Sequence, residues 1–157
     1  MKLRFRFRFY PTPQQTLLLS CIFGCCRFAY NWGLRLRTEA FKQGEKLNDG
    51  DASKALTQLK KQQTYRWLND VSSVPVQQAL RHLQRAYSNF FQGRARYPKF
   101  KRKHGRQSAE YTRSAFSWDP AQRELRLAQL GRLEVRWSRH FTSVPTTVTI
   151  TKDTAER

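Results

Sequence analysis

Leu3-Arg4-Phe5-Arg6-Phe7-Arg8-Phe9-Tyr10-Pro11-Thr12-Pro13-Gln14-Gln15 contains one periodicity and the signal that ends it. Leu3, Phe5, Phe7 and Phe9 fall on one side, and Arg4, Arg6, Arg8 and Tyr10 on the other. A period of two is that of a β-strand. This one has an apolar face for a core and a cationic face for solvent or phosphates. Pro11 ends it. Thr12 then suits a helix N-cap, Pro13 the first helical position, and Gln15 the third, where its side chain completes a capping box. The chain therefore opens on a strand that passes directly into a helix, and that strand needs partners from further along.

The partners are expected after residue 110. Ala115-Phe116-Ser117-Trp118 reads as a short strand and Asp119-Pro120 as a turn. Leu125 and Leu127, then Leu133, Val135 and Trp137, alternate around Gly131 as a hairpin would, and Val144–Ile150 is β-prone. The segments between read as helices. Leu17, Leu18, Cys21 and Ile22 lead to Gly24, read as a break or close-packing point. A second helix carries Phe28, Ala29, Trp32, Leu36 and Phe41 to Gly44. Residues 44–53 read as a polar loop. A short helix follows, with Leu56 and Leu59 inward and Lys60 and Lys61 outward, then a packing knot of Trp67, Leu68 and Val71. The clearest helix starts near Ser73 and repeats Val76, Ala79, Leu80, Leu83, Ala86, Tyr87, Phe90 and Phe91 before Gly93 stops it. The expected fold is α+β. Residues 1–11 and 94–157 form a small antiparallel β-barrel, and residues 12–93 form an inserted helical bundle.

Charge points to the partner. Thirty Lys+Arg against 11 Asp+Glu give a net charge of +19, which calls for a polyanion. Residues 1–38 hold seven Lys/Arg and no acid. Residues 94–106 hold another seven (Arg94, Arg96, Lys99, Lys101, Arg102, Lys103, Arg106), again without an acid, and interleave Tyr97 and Phe100. Cations neutralise phosphates with counterion release, and rings stack on unpaired bases. The polar face of the last helix shows Gln77, Arg81, Gln84 and Arg85, side chains able to make paired hydrogen bonds to base edges. A membrane is the other polyanionic surface, but no run of about 18 apolar residues is evident. The alternating N-terminus is no signal peptide, so a cytoplasmic location without membrane contact is expected. Cys21, Cys25 and Cys26 read as buried helical thiols, with no second Cys pair or neighbouring His to complete a zinc site.

No reaction centre is legible. Most carboxylates fall in turns, caps or exposed strand positions, and none pairs with another in a buried strand, as metal-dependent phosphodiester cleavage requires. There is no phosphate-binding Gly loop and no Ser/His/Asp arrangement. The chain is read as a binding protein with no cofactor, no metal and no catalysis of its own.

Three stretches together resemble the N-terminal half of TnpB, a protein of bacterial insertion sequences. They are Phe9-Tyr10-Pro11-Thr12 with Gln15; Gly24-Cys25-Cys26-Arg27-Phe28-Ala29-Tyr30-Asn31-Trp32; and Gln77-Gln78-Ala79-Leu80 through Ala86-Tyr87-Ser88-Asn89-Phe90-Phe91 to Tyr97-Pro98-Lys99-Phe100-Lys101. The resemblance implies a wedge-like (OB-like) barrel with an inserted recognition domain, labelled helix-turn-helix. That half grips a guide RNA and reads a short motif flanking a double-stranded DNA target. It implies that a RuvC-like nuclease half and a further barrel strand lie beyond residues 151–157, so that this chain is a fragment with an incomplete barrel and the missing half is a partner. Carried over by position, Gln77 contacts the flanking motif and Ser73 and Thr112 lie near other contacts. Ser73 stands where some relatives carry a longer basic side chain. Arg4, Arg6, Arg8 and the linker 94–106 contact backbone. A stand-alone helix-turn-helix regulator, binding duplex DNA without RNA as a dimer, is the alternative.

Overall fold

The computed structural model describes residues 2–153. The elements are β1 (Arg8–Phe9), α1 (Pro13–Lys42), α2 (Asp49–Leu59), a 3-10 helix (Gln63–Asp70), α3 (Ser73–Phe91), β2 (Gln107–Thr112), a 3-10 turn (Arg113–Ala115), β3 (Phe116–Asp119), β4 (Glu124–Leu127), β5 (Gly131–Arg132), β6 (Val135–Arg136) and β7 (Thr147–Lys152). The fold is α+β. α1 packs on α3, both helices pack on β2, and α2 packs on α3. A single apolar core runs from Ile22, Ala29, Leu56, Leu68, Val76 and Leu83 in the helices to Tyr111, Leu127 and Ile150 in the strands.

The junction between strand and helix forms as the sequence dictates. Thr12 Oγ1 accepts from Gln15 N at 3.1 Å, and Thr12 N donates to Gln15 Oε1 at 3.0 Å. Such a cap contributes about 1 kcal/mol. The Gln15 amide nitrogen, buried, also donates to the carbonyls of Leu130 (3.0 Å) and Arg132 (2.8 Å), which ties the start of α1 to the β4–β5 turn.

Among the described residues three sheets form, β1-β6, β2-β7 and β3-β4-β5, all antiparallel and none closed into a barrel. The expected barrel is therefore not seen, and the strands pair as these separate ladders among the described residues. β1 and β6 share only two residue pairs, and residues 137–146 between β6 and β7 form no regular ladder. The strand expected over 3–10 is laddered only at Arg8 and Phe9, with Tyr10 N adding a bond to Glu134 O at 2.8 Å. Its apolar face persists through ring packing instead. Phe7 meets Trp137 edge-on at 5.0 Å, Phe5 stacks on Phe141 at 5.5 Å, and Trp118 stacks on Phe141 at 5.3 Å. The turn expected from Thr151 is strand through Lys152, and residues 154–157 lie outside the described residues.

The helices depart from expectation in three places. α1 is one uninterrupted 30-residue helix, with no break at Gly24. A glycine costs a helix about 1 kcal/mol, and burial of Ile22, Phe23, Cys25 and Cys26 around it outweighs that. Nor is Gly24 a close-packing point, since a Cβ there would meet nothing within 4 Å. The close approach is at Gly33, where a Cβ would come within 2.8 Å of Leu80 Cδ2 and 3.1 Å of Leu83 Cδ2. Gly24→Ala is therefore expected to stabilise the fold by about 0.5–1 kcal/mol, visible as a higher urea midpoint with unchanged slope.

α2 begins at Asp49, inside the expected loop. Asn48 accepts from Asp51 N at 2.9 Å and Asp51 returns the bond at 3.1 Å, a second capping box whose acids suit a helix N-terminus. Phe91, expected in the core, is 69% exposed and covers Tyr87 and Phe90 from outside.

α1 also corrects the membrane reading. An 18-residue window within it has a mean hydropathy of 1.3, enough by length and composition to cross a bilayer. Half of that window is buried in the fold, on the side that packs on α3 and β2.

Candidate nucleic-acid interface

The basic linker between α3 and β2 is strapped along α1. The Asn31 side chain makes both bonds to the backbone of Lys101, accepting from its N–H at 2.7 Å and donating to its carbonyl at 3.0 Å. Two turns on, about 10 Å along the helix, Thr38 Oγ1 lies 2.7 Å from the Tyr97 hydroxyl. That hydroxyl is also 3.0 Å from the Tyr87 hydroxyl, and its ring meets Tyr87 and Phe90 edge-on at 5.5 and 5.2 Å. Four linker residues thus span two helical turns in nearly extended conformation, antiparallel to α1. Further on, the Gln107 amide nitrogen lies 2.9–3.3 Å from the carbonyls of Arg102, Lys103 and Gly105 and closes the loop before β2.

This strap divides the expected contact residues. Tyr97 and Lys101 have internal partners: Tyr97 as described, and Lys101 through its ammonium, 4.7 Å over the Tyr30 ring. Arg94, Arg96, Lys99, Phe100, Arg102 and Lys103 are exposed. Arg106, also exposed, pairs with Asp153 at 3.4 Å. Arg4, Arg6 and Arg8 are exposed as well. Arg8 stands directly across the strand pair from Arg136, and neither has a carboxylate partner among the described residues. Like charges facing each other across a ladder are destabilising unless an anion lies between them.

A second surface lies on α3. Ser73, Gln77 and Arg81 recur at four-residue spacing on one stripe, with Ser73 and Arg81 exposed and Gln77 half-buried. Ser53 Oγ on α2 donates to Gln77 Oε1 at 2.6 Å, so α2 orients that amide. Thr112 ends β2 on the same strand face as Glu110, and its hydroxyl lies 3.2 Å from Ser114 Oγ.

Glu110 joins α3 to β2. Gln78 Nε2 donates to Glu110 Oε2 at 2.6 Å, and His82 Nε2 lies 3.0 Å from the same oxygen. Burial alone would raise the Glu110 pKa, but these hydrogen bonds, with the charges of His82 and Arg85, hold it below the usual carboxylate range. This cluster, the strap through Asn31, Thr38 and Gln107, and the Arg8–Arg136 pair escaped sequence reading, because each joins residues far apart in the chain.

Cys25 and Cys26 are buried, and burial pushes their thiols up to about 11 and about 12. Neither is a reactive thiolate at neutral pH. Cys21, expected to be buried, is exposed.

Residues 1–46 match the helix-turn-helix domain of the OrfB_IS605 family. The chain belongs to that family of insertion-sequence proteins, which includes TnpB. Over its whole length it is 48% identical to a Streptomyces pristinaespiralis protein named "Putative RNA-guided DNA endonuclease" and covers 40% of it. The Escherichia coli K12 protein InsQ, given the same description, is 34% identical over 94% of the chain and is covered to 37%. "Virulence protein VsdF" of Salmonella dublin is 36% identical over 62% of the chain and is covered to 90%. The chain thus spans about two fifths of the first two relatives. Among the described residues of the matched region there is one strand and one continuous helix, with no turn between two helices.

Proposed function

We propose that this chain is the nucleic-acid-binding module of a transposon-associated RNA-guided DNA endonuclease, acting in the cytoplasm. It grips a guide RNA and reads a short motif flanking a double-stranded DNA target. The observation that carries the reading is the linker strap. Two internally bonded residues, Tyr97 and Lys101, hold a row of cations that have no internal role. Arg4, Arg6, Arg8, Arg94, Arg96, Lys99, Arg102, Lys103 and Arg106 take phosphates. Gln77, flanked by Ser73 and Arg81 and joined by Thr112, takes base edges. Residues 1–11 and 94–157 act as a wedge, an incomplete barrel, and residues 12–93 as the recognition insert. Strand cleavage belongs to the nuclease half of the longer relatives, which is this module's protein partner. The guide supplies most of the sequence information, and the protein reads duplex shape and a few bases.

A helix-turn-helix regulator is the second reading: residues 1–46 match a domain of that name, although α1 runs through them without a turn. Nuclease-protected RNA recovered with the protein is expected to be one structured species, bound far more tightly than random duplex. A defined duplex site selected without any RNA would transfer the reading to the regulator.

Gln77→Ala is expected to cost about 1–3 kcal/mol on the preferred flanking motif and to flatten the preference between motifs. Competition binding with a randomised flank checks it. An equal loss on every flank would remove Gln77 from base reading.

A further inference from the structure

We infer that the groove between α1 and the 3-10 helix binds an unpaired stretch of RNA, with bases among its rings and phosphates on the linker's cations. The inference rests on the nucleic-acid reading above and adds to it a site and the form of RNA that the site takes.

The groove encloses about 970 Å³ and runs along one stripe of α1, past Gly24, Phe28, Asn31, Trp32 and Arg35. That is at the upper end of small-molecule pockets, about 300–1,000 Å³, and the groove is open along its length. It suits an extended chain of several units better than one small ligand. The 3-10 helix contributes Tyr65 and Trp67, and the linker contributes Phe100. Phe28 braces the first two, meeting Trp67 edge-on at 5.1 Å and Tyr65 at 5.7 Å. Trp67 is nevertheless 43% exposed and Phe100 59%. Two aromatic side chains held beside a groove and left wet form a stacking platform, because every base has a π-face to offer them.

Charge selects the occupant. Arg27 and Arg35 line the groove. Lys99 and Arg102 on either side of Phe100, with Lys103 beyond, are exposed and carry no carboxylate partner among the described residues. Phosphates one nucleotide apart can lie on these cations while bases turn inward. Two carboxylates, Glu39 and Asp70, also line the groove. They disfavour a bare polyanion, but a carboxylate accepts a hydrogen bond from the amino group of cytosine. Bases are free to enter such a groove where they are unpaired, as in RNA loops and ends, whereas target DNA is a duplex.

The test uses the full chain and a fluorescent oligocytidine RNA of about ten nucleotides, with the deoxy oligomer and a DNA duplex as parallel probes. Trp67→Ala and Phe100→Ala are each expected to weaken RNA binding about ten-fold and to leave duplex binding unchanged. Phe100→Trp should restore the RNA affinity. Ultraviolet crosslinks should map to the peptides carrying Trp32, Trp67 and Phe100. RNA binding unchanged in both alanine variants would overturn the site. A deoxy oligomer bound as tightly, with the same losses, would overturn the assignment to RNA. Failure of the unmodified chain to bind either RNA or duplex would instead sink the nucleic-acid reading on which the inference rests. Melting curves of the alanine variants matching the parent exclude unfolding as the cause of a loss. Should either variant melt early, the crosslink positions on the parent chain decide alone.

Discussion

Replacing Arg94, Arg96, Lys99, Arg102 and Lys103 together by glutamine is expected to flatten the dependence of log affinity on log salt by about 3.5–4.5 units. Each phosphate neutralised by a cation contributes about −0.7 to that slope on single strands and about −0.9 on duplex. Between about 50 and 200 mM salt the parent should therefore lose about 10²–10³ more affinity than the variant. The fold should not suffer, because all five side chains are exposed and none makes an ion pair with a described residue. Removing five like charges from a chain of +19 lowers self-repulsion, so the melting temperature should hold or rise. Asn31→Ala provides the contrast. It keeps every cation but releases the strap at Lys101. It should weaken binding by the entropy of a freed linker and leave the slope close to that of the parent. If the five-fold variant kept the parental slope, the phosphates would lie elsewhere, and the cations around Arg8 and Arg136 would be the next to remove.

What could be read in the sequence was local. The Thr12–Gln15 cap, the start of α3 at Ser73 and its stop at Gly93 follow from short-range chemistry, and each is present, whereas the alternation at 3–10 becomes a ladder only at Arg8 and Phe9. The hairpin around Gly131 forms only in part: a positive φ of 77° suits glycine there and Gly131–Arg132 pairs with β4, but Val135 belongs to β6, which pairs with β1 instead. The errors arose where packing overrides propensity. Gly24 looked like a break but sits in a helix whose neighbouring turns are buried on the core. Asn48-Asp49-Gly50-Asp51 looked like a loop because its composition is that of turns, although Asn48 and Asp51 stand at capping-box spacing. For the interface, the cationic run was plain, but its orientation was not. Nothing in the spacing of residues 97 and 101 shows that Tyr97 and Lys101 turn to α1 while Lys99, Phe100, Arg102 and Lys103 face out. That depends on Asn31 and Thr38, about 60–70 residues earlier. The groove was missed for the same reason. Trp32, Trp67 and Phe100 sit in three separate segments, and each looked like core or linker alone.

Gln15→Glu tests the junction on which the fold turns and should lower stability by about 2–4 kcal/mol at neutral pH. Gln15 is 7% exposed, and its amide nitrogen donates to two carbonyls, at 3.0 and 2.8 Å. A glutamate of the same shape puts an oxygen there. At pH 7 that oxygen is ionised, and it faces two acceptors without a proton to share. The folded state therefore holds the new carboxyl above its ordinary value of about 4.3. The penalty is small below that unfolded value, where the protonated acid donates to one carbonyl, and it grows as pH rises through the folded value. Glu110 acts in the opposite sense in every version of the chain. Its lowered folded value gives stability above its unfolded pKa that is lost as pH falls through the folded one. The informative quantity is therefore the difference between variant and parent at each pH. It should be largest at neutral pH and shrink towards pH 4. A difference that does not change with pH would place the loss in packing rather than in the ionised carboxyl at the carbonyl contacts, since the Thr12 cap keeps its partner oxygen Oε1 in glutamate. Hydrogen exchange separates the two further. A loss at the carbonyl contacts should release amides around Leu130 and Arg132 before those of α3, because Gln15 is what binds that turn to the helical body.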